Sequence, residues 1–177
     1  MCAIEVSPII ATERLRLRWL TRADAPRIAE LANDLDVARM TTSMPYPYDR
    51  RNAEIFLDNV DRRDPDIEEV FAIDLGGELI GVIGFSPAEF SQPEVGYWLG
   101  RPYWGRGFAT EATKAALTWA SEDWRRRVVV AGHFADNAAS GEVLVKAGFL
   151  YTGEIQMRRS AARDDQPTPT RMMVWLP

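Results

Sequence analysis

The chain is poor in the residues that build covalent or metal-held scaffolds. It has one cysteine, Cys2, and one histidine, His133. A lone cysteine excludes an internal disulfide and fits a reducing compartment. One cysteine and one histidine are too few soft ligands for a structural zinc site. No apolar run approaches the roughly 18 residues that a membrane-spanning helix needs, so no membrane partner is expected. The first ten residues, MCAIEVSPII, lack the basic stretch and long apolar core of a signal peptide. A cytoplasmic location is therefore expected. A net positive charge is absent too: 21 Lys and Arg against 26 Asp and Glu give a formal net charge of −5. That argues against nucleic acid as a partner and is compatible with a cationic substrate. The one basic run, RRR at 125–127, precedes an apolar stretch and reads as a solvated turn. Internal repeats, low-complexity segments and interdomain linkers are also missing.

What remains is a chain of 177 residues, 46% hydrophobic, which suits one domain over 1–177 with one sizeable core. ERLRLRWL (13–20) alternates as a half-buried strand does. Helical spacing follows over 21–34, starts again at 35 until two prolines break it, and returns over 50–63. EVFAID (69–74) and ELIGVIGFS (78–86) are strands joined across Gly76-Gly77, a hairpin signal. A strand at 94–100, a helix at 108–124, a β-branched strand at 128–134 and a helix at 138–149 come next. YTGEIQM and TRMMVWL close the chain as two more strands. The order β-α-α-β-β-β-α-β-α-β-β predicts an α/β fold with one mixed sheet of about seven strands, covered by helices.

Between a strand and a helix lies PYWGRGFATEA (102–112). A dinucleotide fingerprint needs G-x-G-x-x-G, but Thr110 stands in the third position and no βαβ unit precedes it. A phosphate loop of the G-x-x-x-x-G-K-[ST] type is absent. A short turn whose backbone amides meet an anion at a helix N-terminus does fit. Taken alone, the glycines fit a plain connecting turn equally well.

The flanks carry more. EVGYWLGRPYWGRGFATEA (94–112) resembles the acetyl-CoA-binding segment of the GNAT acyltransferase superfamily. NAASGEVLVKAGF (137–149), ERLRLRWLTRADA (13–25) and MPYPYDRRNAEIFL (44–57) resemble one branch of it. That branch contains the ribosomal-protein N-terminal alanine and serine acetyltransferases. One departure stands out: aligned on Gly107 and Ala109, the superfamily's [QR]-x-x-G-x-[GA] begins here with Trp104, so no polar side chain helps from that position.

The resemblance implies a sheet whose central parallel strands splay apart, flanked by about four helices. It implies acetyl-CoA as donor and an amine as acceptor, either a small molecule or a protein N-terminus, in a monomer or homodimer. The amides of Arg106, Gly107, Phe108, Ala109 and Thr110 would meet the pyrophosphate, with the Thr110 hydroxyl either donating too or capping the helix. Arg106 would lie toward solvent or the adenosine phosphate, and Glu111 would complement the helix dipole. Gly96, Tyr97, Trp98 and Leu99 would offer a strand edge to pantetheine, with the amide of Trp98 or Leu99 as oxyanion donor. Asn137 would contact pantetheine, cap the following helix, or both.

Glu94 is the candidate base, or else a solvent-facing strand-end carboxylate. The tyrosine acid usual in the superfamily is missing, because its position holds Leu144. Ser140 would meet the leaving sulfur or bond locally in its helix. His133 is read as a packed side chain. Tyr46 and Tyr48 would wall the acceptor pocket or pack. An alternative from a different class is a non-catalytic acyl-CoA sensor, which keeps the loop and loses the chemistry.

Overall fold

A computed structural model describes residues 9–88 and 92–177. Cys2 lies outside the described residues. The expected strands all form, and together they make one sheet. β1 (Ile10–Ala11), β2 (Arg16–Trp19), β3 (Glu69–Leu75), β4 (Glu78–Pro87) and β5 (Pro93–Leu99) lie side by side in chain order. β6 (Val129–Phe134), β8 (Thr168–Trp175) and β7 (Leu150–Arg158) complete it in that order. The count is eight rather than seven because β1 adds a strand. Two residues are too few to show a period of two, so alternation could not reveal it. The β3–β4 turn forms at Gly76 and Gly77, whose φ values of +64° and +95° demand glycine. Asp74 steadies it by accepting the Gly77 N–H at 2.7 Å.

Among the described residues, five α-helices cover the sheet: α1 (Ala25–Ala32), α2 (Leu35–Ala38), α3 (Arg50–Asp61), α4 (Phe108–Glu122) and α5 (Ala138–Lys146). The extra one over the expected four is α2, a single turn whose N-cap Asp34 accepts from the Asp36 amide. Asp49 and Asn52 start α3 with a reciprocal cap. Alternate residues of β3 and β4 feed two cores. Phe71, Ile73, Ile80 and Ile83 join α4 and α5 on one face, whereas Ala72 and Leu79 join α1 and α3 on the other. Trp119 of α4 meets Phe71 edge-on at 5.1 Å and stacks with Trp124 at 5.6 Å. The 125–127 basic run is solvated only at its ends. Arg126 packs over Trp124 at 4.0 Å, and its amide closes α4 on Ala120 O at 2.7 Å.

Every neighbouring pair in the sheet is antiparallel except β5 and β6. Those two run parallel and share one bridging pair, Glu94 with Val130. Beyond that rung they diverge, and α4 crosses between them.

Candidate active site

The glycine loop is built by backbone conformation. Gly105 and Gly107 have φ of +71° and +79°, the left-handed region that side chains resist. Gly107 is the N-cap of α4 and offers no side chain to its first turn. The first helical bond is Glu111 N–H to Gly107 O, at 3.0 Å. The amides of Phe108, Ala109 and Thr110 therefore have no intrahelical acceptor. Thr110 sits third in the helix, so it does not cap it. A Cβ at Gly105 would meet nothing within 4 Å, which leaves open space over the loop. Phe108 is buried, so only its backbone is on offer. Arg14 and Arg106 flank its ring at 4.5 and 4.8 Å.

Glu111 does more than complement a dipole. It accepts from the Thr12 hydroxyl at 2.6 Å and the Arg14 amide at 2.9 Å, and pairs with the Arg14 guanidinium. Burial pushes its carboxyl upward, but these bonds outweigh burial and hold it below the usual carboxylate range. Arg14 in turn donates to Arg106 O at 3.0 Å. The loop is thus strapped to the β1–β2 turn.

The gap between β5 and β6 exposes a strand edge. Gly100 N–H donates to Ile80 O at 2.9 Å. Antiparallel alternation then aims the Trp98 amide at β4 and the Leu99 and Tyr97 amides at the gap. Of the two expected oxyanion donors, Leu99 faces the gap and Trp98 does not. The Trp104 indole N–H donates to Leu99 O at 2.7 Å. Its one polar atom is spent on the strand end.

On the α5 side, Asn137 is the N-cap and its Oδ1 accepts from Ser140 N–H at 3.2 Å. Its side-chain NH2 is left for another partner. Ser140 Oγ lies 3.0 Å from the Tyr97 hydroxyl. Burial, partly opposed by Ser140, pushes the Tyr97 phenol up to about 12. Leu144 is 1% exposed and belongs to the core. His133 is buried, with Nδ1–H donating to Phe134 O at 2.9 Å and Nε2 accepting from the Tyr151 hydroxyl at 3.0 Å. Both ring nitrogens are occupied, as expected of a packed histidine.

Glu94 does not simply face solvent. Arg158 grips both its oxygens, at 2.5 and 3.1 Å, and is itself steadied by Gln156. Nothing in the sequence pointed to Arg158, which is 64 residues away. The grip fixes the carboxylate beside the cavity and leaves its remaining lone pairs free.

These parts line one cavity of about 1170 Å³. Gly105, Gly107, Gly96 to Leu99, Asn137 and Ser140 contribute to the lining, and Met40, Met44, Tyr48 and Phe56 add an apolar wall. Tyr48 is buried in that wall, and burial with Asp49 nearby pushes its phenol up to about 12. Tyr46 is 47% exposed and lies outside the lining, so the expected aromatic pair is reduced to one. Arg163, also unforeseen, straps the 159–167 segment to the end of α2 and to the turn before α5. It donates to Arg39 O at 2.6 Å and pairs with Asp136 at 2.7 Å.

The family description "Acetyltransferase (GNAT) domain" matches residues 14–150. The chain belongs to the GNAT acetyltransferase family. An uncharacterized N-acetyltransferase of Bacillus subtilis, YoaA, is 26% identical over 166 residues, 84% of this chain and 86% of that protein. The ribosomal-protein-serine acetyltransferase of Escherichia coli is 32% identical over 87 residues, 48% of this chain and 49% of that one. In fold, the GNAT chain is similar to RimL, a ribosomal L7/L12 alpha-N-protein acetyltransferase solved with coenzyme A. The TM-score is 0.83 at 19% identity, covering 96% of this chain and 98% of that one. The chain is thus an acyltransferase, and acetyl-CoA is its acetyl donor. The site suits that donor: an uncapped helix start for the pyrophosphate, and a strand edge for a ligand with two amides. Among the described residues, no helix is long and apolar enough to cross a membrane.

Proposed function

We propose that this chain is an N-acetyltransferase that moves the acetyl group directly to a primary amine, on a protein N-terminus or a small molecule. The observation that carries it is the single rung between β5 and β6, which opens a strand edge beside an uncapped helix start. The amides of Gly107 to Thr110 hold the pyrophosphate, and the Leu99 and Tyr97 edge with Asn137 holds pantetheine. When bound, acetyl-CoA supplies an activated thioester. The Leu99 N–H donates to the carbonyl oxygen as charge develops there. Glu94, fixed by Arg158, accepts the amine's surplus proton directly or through water. Ser140 Oγ–H donates to the sulfur as the C–S bond breaks and the N–C bond forms, and the thiolate regains its proton from solvent. Tyr48, Met44 and Phe56 receive the body of the acceptor.

Thermal unfolding with added acetyl-CoA tests the donor site. A ligand at 100-fold saturation contributes about 2.7 kcal/mol, so the midpoint rises by several degrees. Coenzyme A release is then followed across peptide N-termini and small amines. Turnover with any of them supports the reading. Equal binding of CoA and acetyl-CoA with no turnover would make the protein a sensor. No shift at millimolar donor would reduce the loop to a turn.

A further inference from the structure

Tyr97 entered the site as a piece of backbone, yet its side chain reaches a residue of another element. The ring packs against the α4–α5 core, and its hydroxyl stands 3.0 Å from Ser140 Oγ and 3.3 Å from Ser140 O. A first-turn serine ordinarily spends its hydroxyl on its own helix. Among the described residues, Ser140 Oγ instead has Tyr97 as its one hydrogen-bond partner. Asn137 already fixes the Ser140 amide, so the serine's backbone is set as well. A serine hydroxyl has one hydrogen and two lone pairs, and a phenol has one hydrogen. When the phenol donates to Oγ, the serine's own hydrogen is released from that contact and turns toward the cavity, which Ser140 lines.

We propose that Tyr97 is a positioning residue, which donates to Ser140 Oγ and thereby makes the serine hydroxyl a standing donor to the leaving sulfur. This rests on the reading that Ser140 faces the thioester. The phenol does not pass on its own proton. Burial holds it neutral to about 12, with Ser140 opposing, whereas a thiol titrates near 8.5 and is too weak a base to take that proton. The missing helix tyrosine, replaced by Leu144, is thus answered by a strand tyrosine acting one residue removed.

The test titrates the thiol of coenzyme A bound to the wild-type protein, Tyr97→Phe, Ser140→Ala and the double variant, by thiolate absorbance. Affinity for desulfo-coenzyme A, which lacks the sulfur, is the control. The wild type is expected to lower the bound thiol's pKa below that of free coenzyme A. Tyr97→Phe and Ser140→Ala should each undo most of that shift, and the double variant no more than either. Desulfo-coenzyme A should bind all four alike. In turnover, Tyr97→Phe should lose about ten- to a hundredfold in kcat at unchanged KM for acetyl-CoA, with no further loss in the double variant. If Ser140→Ala moves the thiol and Tyr97→Phe does not, the serine acts alone, and this inference fails while its parent reading stands. If neither moves it, Ser140 is not at the sulfur and both fall. A loss of desulfo-coenzyme A affinity in Tyr97→Phe would make the tyrosine merely structural.

Discussion

A Cβ on Gly107 would lie 3.4 Å from the Arg14 guanidinium, an ordinary contact, but the residue's φ is +79°. Glycine is therefore required for the backbone angle rather than for room. A left-handed angle costs an ordinary residue about 1–2 kcal/mol, and a β-branched one more. Gly107→Val should relax the loop out of that conformation and weaken coenzyme A binding about tenfold or more, read by calorimetry. Unchanged affinity would take the loop out of the site. At this scale the sequence was informative where chemistry is local. The Gly105–Gly107 turn and the Asn137 cap follow from near neighbours. The Arg158 grip on Glu94 and the Tyr97 bond to Ser140 join residues 64 and 43 positions apart, and no local pattern encodes them. Tyr46 and Tyr48 share a loop and a chemistry, so polarity had no means of telling the wall residue from the exposed one.

Helix α5 shows how closely an element must sit for the site to work. Gly141 faces β6, and a Cβ there would stand 2.9 Å from both His133 Nε2 and the Tyr151 hydroxyl. Gly141→Ala gains about 1 kcal/mol of helix propensity, against about 1–3 kcal/mol for forcing a methyl into a filled space. The net expectation is a midpoint lowered by a few degrees in differential scanning fluorimetry. Activity should fall beyond what the lost stability explains, because moving α5 away parts Ser140 from Tyr97. A midpoint raised above wild type would show that the helix moves away without strain. The long elements were legible because their periods run for many residues. β1 was missed because two residues fit any period, whereas α2 was legible as a helical start at residue 35 though too short to count as an element of its own.

Across the whole molecule, three carboxylates tie one segment to another. Asp24 pairs with Arg18, Glu111 with Arg14, and Asp136 with Arg163. Each is held below the usual carboxylate range. For Asp24 and Glu111, burial pushes upward and the hydrogen bonds of Arg18 and Thr21, or of Thr12 and Arg14, outweigh it. For Asp136, the Arg163 bond is the leading cause. The unfolded chain then takes up protons at higher pH than the folded one. Their stabilisation is complete above the ordinary range of about 4 and is lost as pH falls through the lowered folded values. The unfolding midpoint should be nearly level from pH 7 to about 5 and drop below about 4. Asp24→Asn should unfold at a lower temperature than wild type at pH 7, and the difference should shrink as acid is added. A difference that widened in acid would reverse the sign of this linkage. The mixed sheet and its helices were readable at this scale from element order, but the struts that lock them were not.

The lone rung between β5 and β6 has a consequence for how the molecule holds together. All strands from Ile10 to Leu99 lie on one side of it, and all from Val129 to Trp175 on the other. The chain is a book of two leaves, each written in one continuous passage, with α4 as the spine. Along their inner margin the sheet itself supplies one stitch, and the Glu94–Arg158 pair, the Tyr97–Ser140 bond and a shared core hold the leaves beside it. Pantetheine laid along that margin would add stitches to the one rung, so the donor is expected to serve as binding thread before it serves as reagent.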